Sequence, residues 1–110
     1  MLKKYLIERE VPGVGSSSSD QFKQMTSTSN EVLRNLGPDI QWKESFVTDD
    51  KVYCVYLAKD ENIIREHARL GGFPSDKISE IKTVLDPTTA EGESIMNLPK
   101  GNVPKDLPLS

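Results

Sequence analysis

The sequence has very few of the side chains that most metal-binding and redox motifs require. Its 110 residues include one cysteine, Cys54, and one histidine, His67. A single cysteine cannot form a disulfide within the chain, which favours a reducing compartment. One cysteine and one histidine also cannot complete a closed zinc site. The sequence therefore has too few cysteine and histidine residues for a zinc-finger, zincin or thioredoxin-type site.

Clustered positive charge and long apolar runs are also missing. The net charge is -3 and aromatic residues make up 6% of the chain, so we expect no nucleic-acid partner. No window approaches the ~18–20 apolar residues that span a bilayer. Glu8, Arg9 and Glu10 interrupt the first apolar stretch before a signal-peptide core could form. We therefore expect a cytoplasmic protein without membrane contact.

The sequence does contain a regular succession of strand and helix signals. Ser18 and Gln21 have the spacing of a capping box, and Asp60 is a favourable N-cap, so each marks a helix start. After each apolar helical stripe, a glycine followed closely by a proline predicts the end of the helix. Period-two alternation predicts strands over 3–11, 39–48, 51–59 and 77–85.

The order β, α, β, β, α, β with right-handed crossovers predicts an α+β, ferredoxin-like fold. In this fold a four-stranded antiparallel sheet carries two helices on one face. We place this domain at residues 1–87 and expect a flexible, proline-punctuated C-terminal tail over 88–110. The third strand, VYCVYLA, is apolar on both faces. A homodimer of the dimeric α+β barrel type, formed through the open sheet face, would cover it.

A two-residue loop at 49–50 joins the middle strands into a hairpin and fixes their register. In that register one sheet face holds Trp42, Glu44, Phe46 and Tyr53, together with Arg9, while Cys54 lies on the other. A carboxylate among aromatic residues needs a partner. Glu44 either pairs with Arg9, or shares a cavity with His67 and the hydroxyls of Thr26 and Ser29 that could bind a cation or a polar small molecule.

His67 lies on the apolar stripe of the second helix. It is either a hydrogen-bonded core histidine or a metal ligand or proton carrier in a pocket between helix and sheet. Imidazole with carboxylate oxygens suits nickel, copper or zinc. Cys54 is either a small buried residue or a ligand at a dimer interface, where two subunits double every side chain.

Several strings together resemble a family of small bacterial proteins known as a domain of unknown function. The most specific are DKVYCVY and EHARLGGFP, accompanied by YLIEREVPG and VLDPTTAE, and the resemblance covers about residues 3–91. The described representative of that family is a nickel-binding, ferredoxin-like homodimer. The resemblance therefore implies a dimer that binds nickel or another divalent transition metal. Cys54 and His67 are the positions that match the family pattern.

Three functional hypotheses follow. The first is a non-enzymatic metal-binding dimer with His67, Glu44 and Cys54 as candidate ligands. The second is a small-molecule pocket protein, or a cofactor-free enzyme of the dimeric α+β barrel type with His67 as acid or base. Its pocket residues would be Arg9, Ser29, Trp42 and Tyr53. The third is an interaction module. Because spacing places no orienting acid beside a nucleophile and base, we expect binding rather than catalysis.

Overall fold

A computed structural model of the chain describes residues 1–91, so most of the predicted tail lies outside the described residues. Two helices and four strands make up its framework: β1 (Lys3–Glu10), α1 (Ser19–Leu36), β2 (Ile40–Val47), β3 (Lys51–Ala58), α2 (Glu61–Gly71) and β4 (Lys77–Glu80). Short 3-10 turns follow β1 and β4. Neither helix of residues 1–91 combines the length and the apolar character that a bilayer crossing requires.

The four strands form one antiparallel sheet in the order β2-β3-β1-β4, with both helices packed on one face. The core lies between that face and the helices, where Ile7 and Tyr56 from the sheet meet Ile64 of α2 and Leu33 of α1. This arrangement confirms the predicted ferredoxin-like fold. No helix of residues 1–91 packs on the other face, and we call it the open face.

Both helices begin where their capping residues predict. The Ser18 hydroxyl accepts a hydrogen bond from the Gln21 amide at 3.1 Å, and the Gln21 side chain accepts one from the Ser18 amide at 2.7 Å. The Asp60 carboxylate accepts from the Ile63 amide at 3.0 Å. These bonds satisfy amides that have no partner inside the helix. Gly72 ends α2 in the left-handed conformation, with φ of 72°.

The predicted hairpin register is confirmed near the turn but not along the whole of β2. Phe46 lies opposite Tyr53 and Glu44 opposite Val55, as expected. A β-bulge at Lys43 then shifts the pairing, so that Trp42 lies opposite Tyr56. An extra residue reverses the side-chain alternation beyond it. Trp42 therefore points to the helix-covered face, and the prediction that it shares a face with Glu44 is wrong.

The prediction that Arg9 and Cys54 lie on opposite faces is also wrong. Cys54 and Tyr56 lie opposite Ile7 and Tyr5 of β1 and are buried beneath the helices. Arg9 lies opposite Val52 and so shares this covered face. The open face carries the alternate residues of the three long strands, Leu6, Glu8, Glu44, Phe46, Tyr53, Val55 and Leu57. VYCVYLA is apolar on both faces, so its own pattern did not distinguish them.

The last strand is shorter than predicted. It pairs with only four residues of β1, from Tyr5 to Glu8, and one further bond joins the Ile81 amide to the Lys4 carbonyl. Beyond that bond only Lys3 of β1 remains, and residues 82–85 form no strand. Ile78 is the residue of β4 that packs against the core.

Candidate functional site

A cavity of about 350 Å³ opens between α1, the helix-covered face of the sheet and the segment after α2. Its wall is mostly apolar. The apolar side chains come from α1, β2, β3 and the connecting segments, and include Val14, Phe22, Met25, Val47, Val52 and Phe73. A concave apolar site with a few converging polar groups is the usual form of a small-molecule pocket.

Arg9 supplies the charged group of this pocket. The alternation of β1 turns it inward beside Ile7, and only 4% of its surface is exposed. One guanidinium nitrogen, Nη1, donates to the Pro74 carbonyl, and the guanidinium carbon lies 5.6 Å from the centre of the Phe73 ring. The second nitrogen, Nη2, is buried without a hydrogen-bond partner in residues 1–91. Arg9 also belongs to none of the ion pairs formed within these residues.

His67 lies fully buried behind the pocket wall. Its Nε2 is 3.0 Å from the Ser29 hydroxyl. The centre of its ring lies 5.3 Å from the centre of the Tyr56 ring and 5.6 Å from that of the Phe73 ring. The pKa of His67 is lowered to about 4. Burial is the main cause and the Arg9 charge lowers the pKa further, while the hydrogen bond with Ser29 raises it by a smaller amount. The imidazole is therefore neutral at pH 7. Its Nδ1 has no hydrogen-bond partner within residues 1–91.

Tyr56 and Cys54 complete the inner end of the pocket. Burial raises the pKa of the Tyr56 phenol, and the neighbouring Cys54 raises it further, while Arg9 and Ser29 act in the opposite direction. The phenol therefore keeps its proton at neutral pH. Cys54 is a buried free thiol in the same wall.

Besides Tyr56, the sequence interpretation missed a second site residue, Phe73. Its ring contacts both Arg9 and His67, and its position depends on Gly71. A Cβ at residue 71 would lie 2.3 Å from the Phe73 Cε2 atom, so only glycine leaves room for the ring where it lies. The string GGFP contained a usable signal, because the residue after a left-handed glycine at a helix end frequently makes a hydrophobic contact with the last turn of that helix.

The predicted site residues fall into two groups on opposite sides of the sheet. Five of them line the pocket: Arg9, Thr26, Ser29, Trp42 and Cys54. Tyr53 and Glu44 lie on the open face, so the predictions of a Tyr53-lined pocket, an Arg9–Glu44 pair and a Glu44–His67 cavity are wrong in their placement. Within residues 1–91 no three His, Cys, Asp or Glu side chains lie close enough to hold a metal ion together.

This fold and this pocket define a small ferredoxin-like α+β protein whose polar site is an arginine without a counter-charge in residues 1–91, next to a neutral histidine. The chain belongs to the family described as nickel responsive protein SCO4226-like, whose profile matches residues 5–81. Among solved structures, the chain is similar to the crystal structure of SCO4226 from Streptomyces coelicolor A3(2), with a TM-score of 0.64. That match has 14% sequence identity and covers 74% of this chain and 99% of the other, so it supports the fold alone. A search of curated proteins gives no match.

Proposed function

We propose that this protein is a non-enzymatic binding protein that holds a small, mostly apolar ligand in its pocket as part of a nickel response. The observation that carries the proposal is the cavity itself, which joins an apolar wall to an inner polar end formed by Arg9, Ser29 and Tyr56. The nickel response comes from the description of the family.

The state of His67 supports binding over acid–base catalysis. A general base works best when its pKa lies near the operating pH. The pKa of His67 is about 4, and the ring lies behind the wall that Ser29 and Tyr56 form. The imidazole therefore acts as a fixed hydrogen-bond partner for Ser29, and through it shapes the pocket.

A neutral fluorescent probe tests the pocket directly. N-phenyl-1-naphthylamine should bind the wild-type protein with a saturable rise in emission. Met25→Trp should weaken that binding at least tenfold because the indole occupies the cavity. Glu31→Trp, on the exposed side of the same helix, is the matched control and should bind as wild type does. Absent binding, or equal binding by both variants, would refute the pocket as the ligand site.

The second candidate is a homodimer that binds nickel itself. The family description favours it, as does the Nδ1 of His67, which has no hydrogen-bond partner within residues 1–91. We place the dimer interface on the open face, where Leu6, Phe46 and Tyr53 leave apolar surface. Such an interface keeps Glu44 on the far side of the sheet from His67. Cys54, which shares the covered face, is then the better candidate to join His67.

Native mass spectrometry of metal-stripped protein with added nickel separates the two candidates. If nickel binds at His67, the wild-type dimer gains integral metal, whereas His67→Gln, which keeps a group able to bond to Ser29, gains none. Cys54→Ser tests the thiol in the same way. Equal metal uptake by wild type and both variants would remove His67 and Cys54 as ligands.

A further inference from the structure

We infer that the pocket selects an apolar monocarboxylate, with the carboxylate paired to Arg9 and the hydrocarbon part against the apolar wall. This inference rests on the proposed function and specifies the chemical class of its ligand. Its starting point is a positive charge that the described part of the chain buries without a counter-charge.

A buried lysine or histidine can lose its proton and become neutral, whereas an arginine side chain remains protonated and charged. Arg9 is 4% exposed, yet residues 1–91 provide it only with neutral neighbours: the Pro74 carbonyl, the Phe73 ring and the Tyr56 phenol. Burying an unpaired charge is costly, and an opposite charge with matching hydrogen bonds offsets that cost. An anion in the pocket would supply both.

The free donor belongs to a side chain of the cavity wall. Arg9 is part of the cavity wall, and the bond to the Pro74 carbonyl occupies Nη1, which leaves Nη2 available. The hydroxyls of Ser29 and Tyr56 come from the same wall and can also donate to an anion. No Asp or Glu is among the residues that line the cavity in the described part of the chain, so nothing there competes for the guanidinium.

The rest of the wall determines the rest of the ligand. Aliphatic and aromatic side chains from α1, β2 and β3 surround the space away from Arg9, as Met25, Val47 and Val52 show. Burial of apolar surface there favours a hydrocarbon group over a second charge. A carboxylate matches the planar guanidinium in shape and charge. An apolar monocarboxylate therefore satisfies both parts of the pocket at once.

Octanoate and 1-octanol, which share a chain length and differ in charge, provide the test. Each is titrated against protein carrying bound N-phenyl-1-naphthylamine. In wild type, octanoate should displace the probe at a concentration at least tenfold lower than octanol. Arg9→Gln should abolish this difference by weakening octanoate alone, whereas Arg9→Lys should retain part of it. Displacement by octanol should be the same in all three proteins.

Equal potency of the two compounds in wild type, or an octanoate preference that survives in Arg9→Gln, would overturn the inference. If neither compound displaces the probe, the proposed pocket fails as well, so the two failures are distinguishable. Circular dichroism checks that Arg9→Gln folds. Should it not fold, the guanidinium ¹⁵N signal of Arg9 in wild type decides: octanoate must shift it and octanol must not.

Discussion

At the scale of single residues, Arg9 and His67 show how a small apolar core treats two basic side chains differently. His67 is neutral at pH 7, because burial and the nearby Arg9 hold its pKa near 4. Arg9 keeps its charge and faces the pocket. The sequence predicted both residues near the pocket, because each occupies an inward position of a periodic pattern. The state of each could not be predicted, since it depends on neighbours that are distant in sequence.

The lowered pKa of His67 predicts that stability falls on acidification. An unfolded histidine has a pKa near 6.5, so between pH 6.5 and about 4 the unfolded chain binds a proton that the folded protein does not. The free energy of unfolding should therefore fall across this window, by up to about 3 kcal/mol. Urea denaturation at several pH values measures it. His67→Gln should lack this component, and an identical pH dependence in that variant would contradict the assignment.

Because Arg9 has no counter-charge among residues 1–91, we predict that its buried position tolerates substitution unusually well. Arg9→Met removes a buried cation that has no counter-charge within the described residues, and the longer apolar side chain fills much of its space. We expect the free energy of unfolding to change by less than about 1 kcal/mol. The neighbouring truncation Ile7→Ala, in a fully buried position, should cost about 2–5 kcal/mol. Thermal or urea unfolding compares them, and a similar large loss for both would show that Arg9 is structurally required.

At the scale of elements, the helix starts and the hairpin turn were predictable because each depends on a few adjacent residues. Ser18 with Gln21 and the loop at 49–50 are local signals of this kind. The bulge at Lys43 has no such signal, and it decides on which face Trp42 lies. The Trp42 Nε1 donates to the Ser45 hydroxyl at 2.9 Å across the bulge. The face on which each β2 side chain lies could therefore be predicted from the hairpin turn back to Glu44, but not for the residues before the bulge.

The end of α2 predicts a coupling between Gly71 and Phe73. Gly71→Ala brings a methyl group into the space of the Phe73 ring, and overpacking of this kind costs about 1–3 kcal/mol. In a Phe73→Ala background the same change should be neutral or stabilising, because alanine favours the helix. A double-mutant cycle from urea denaturation measures the difference. Additive effects would mean that the two residues do not contact each other in this way.

At the scale of the whole molecule, the ferredoxin-like fold followed from the order of elements, since few topologies satisfy that order. The face on which the helices pack did not follow, because β3 is apolar on both. The open face retains Leu6, Tyr53, Val55 and Leu57 side by side, each half-buried, with the exposed Phe46 beside them. This is the surface that a second copy of the chain would cover in the proposed dimer.

The proposed dimer predicts that a single charge on the open face separates the subunits. Val55→Lys places an ammonium group at the centre of this face, opposite Leu6 and Glu44. Light scattering should find wild type at twice the 12.3 kDa mass of the chain and Val55→Lys at the monomer mass. Glu31→Lys on α1 is the control and should remain dimeric. A monomeric wild-type protein would contradict the proposed dimer.

The methyl group of Met25 gives the most direct test that the pocket is the ligand site. Residues 1–91 contain two methionines, of which Met25 lines the cavity and Met1 is exposed, so Met1 serves as the internal reference. In a ¹H–¹³C methyl spectrum titrated with 1-octanol, we predict a saturable shift of the Met25 signal while that of Met1 stays fixed. A spectrum in which Met25 does not move, or moves no more than Met1, would contradict the central claim.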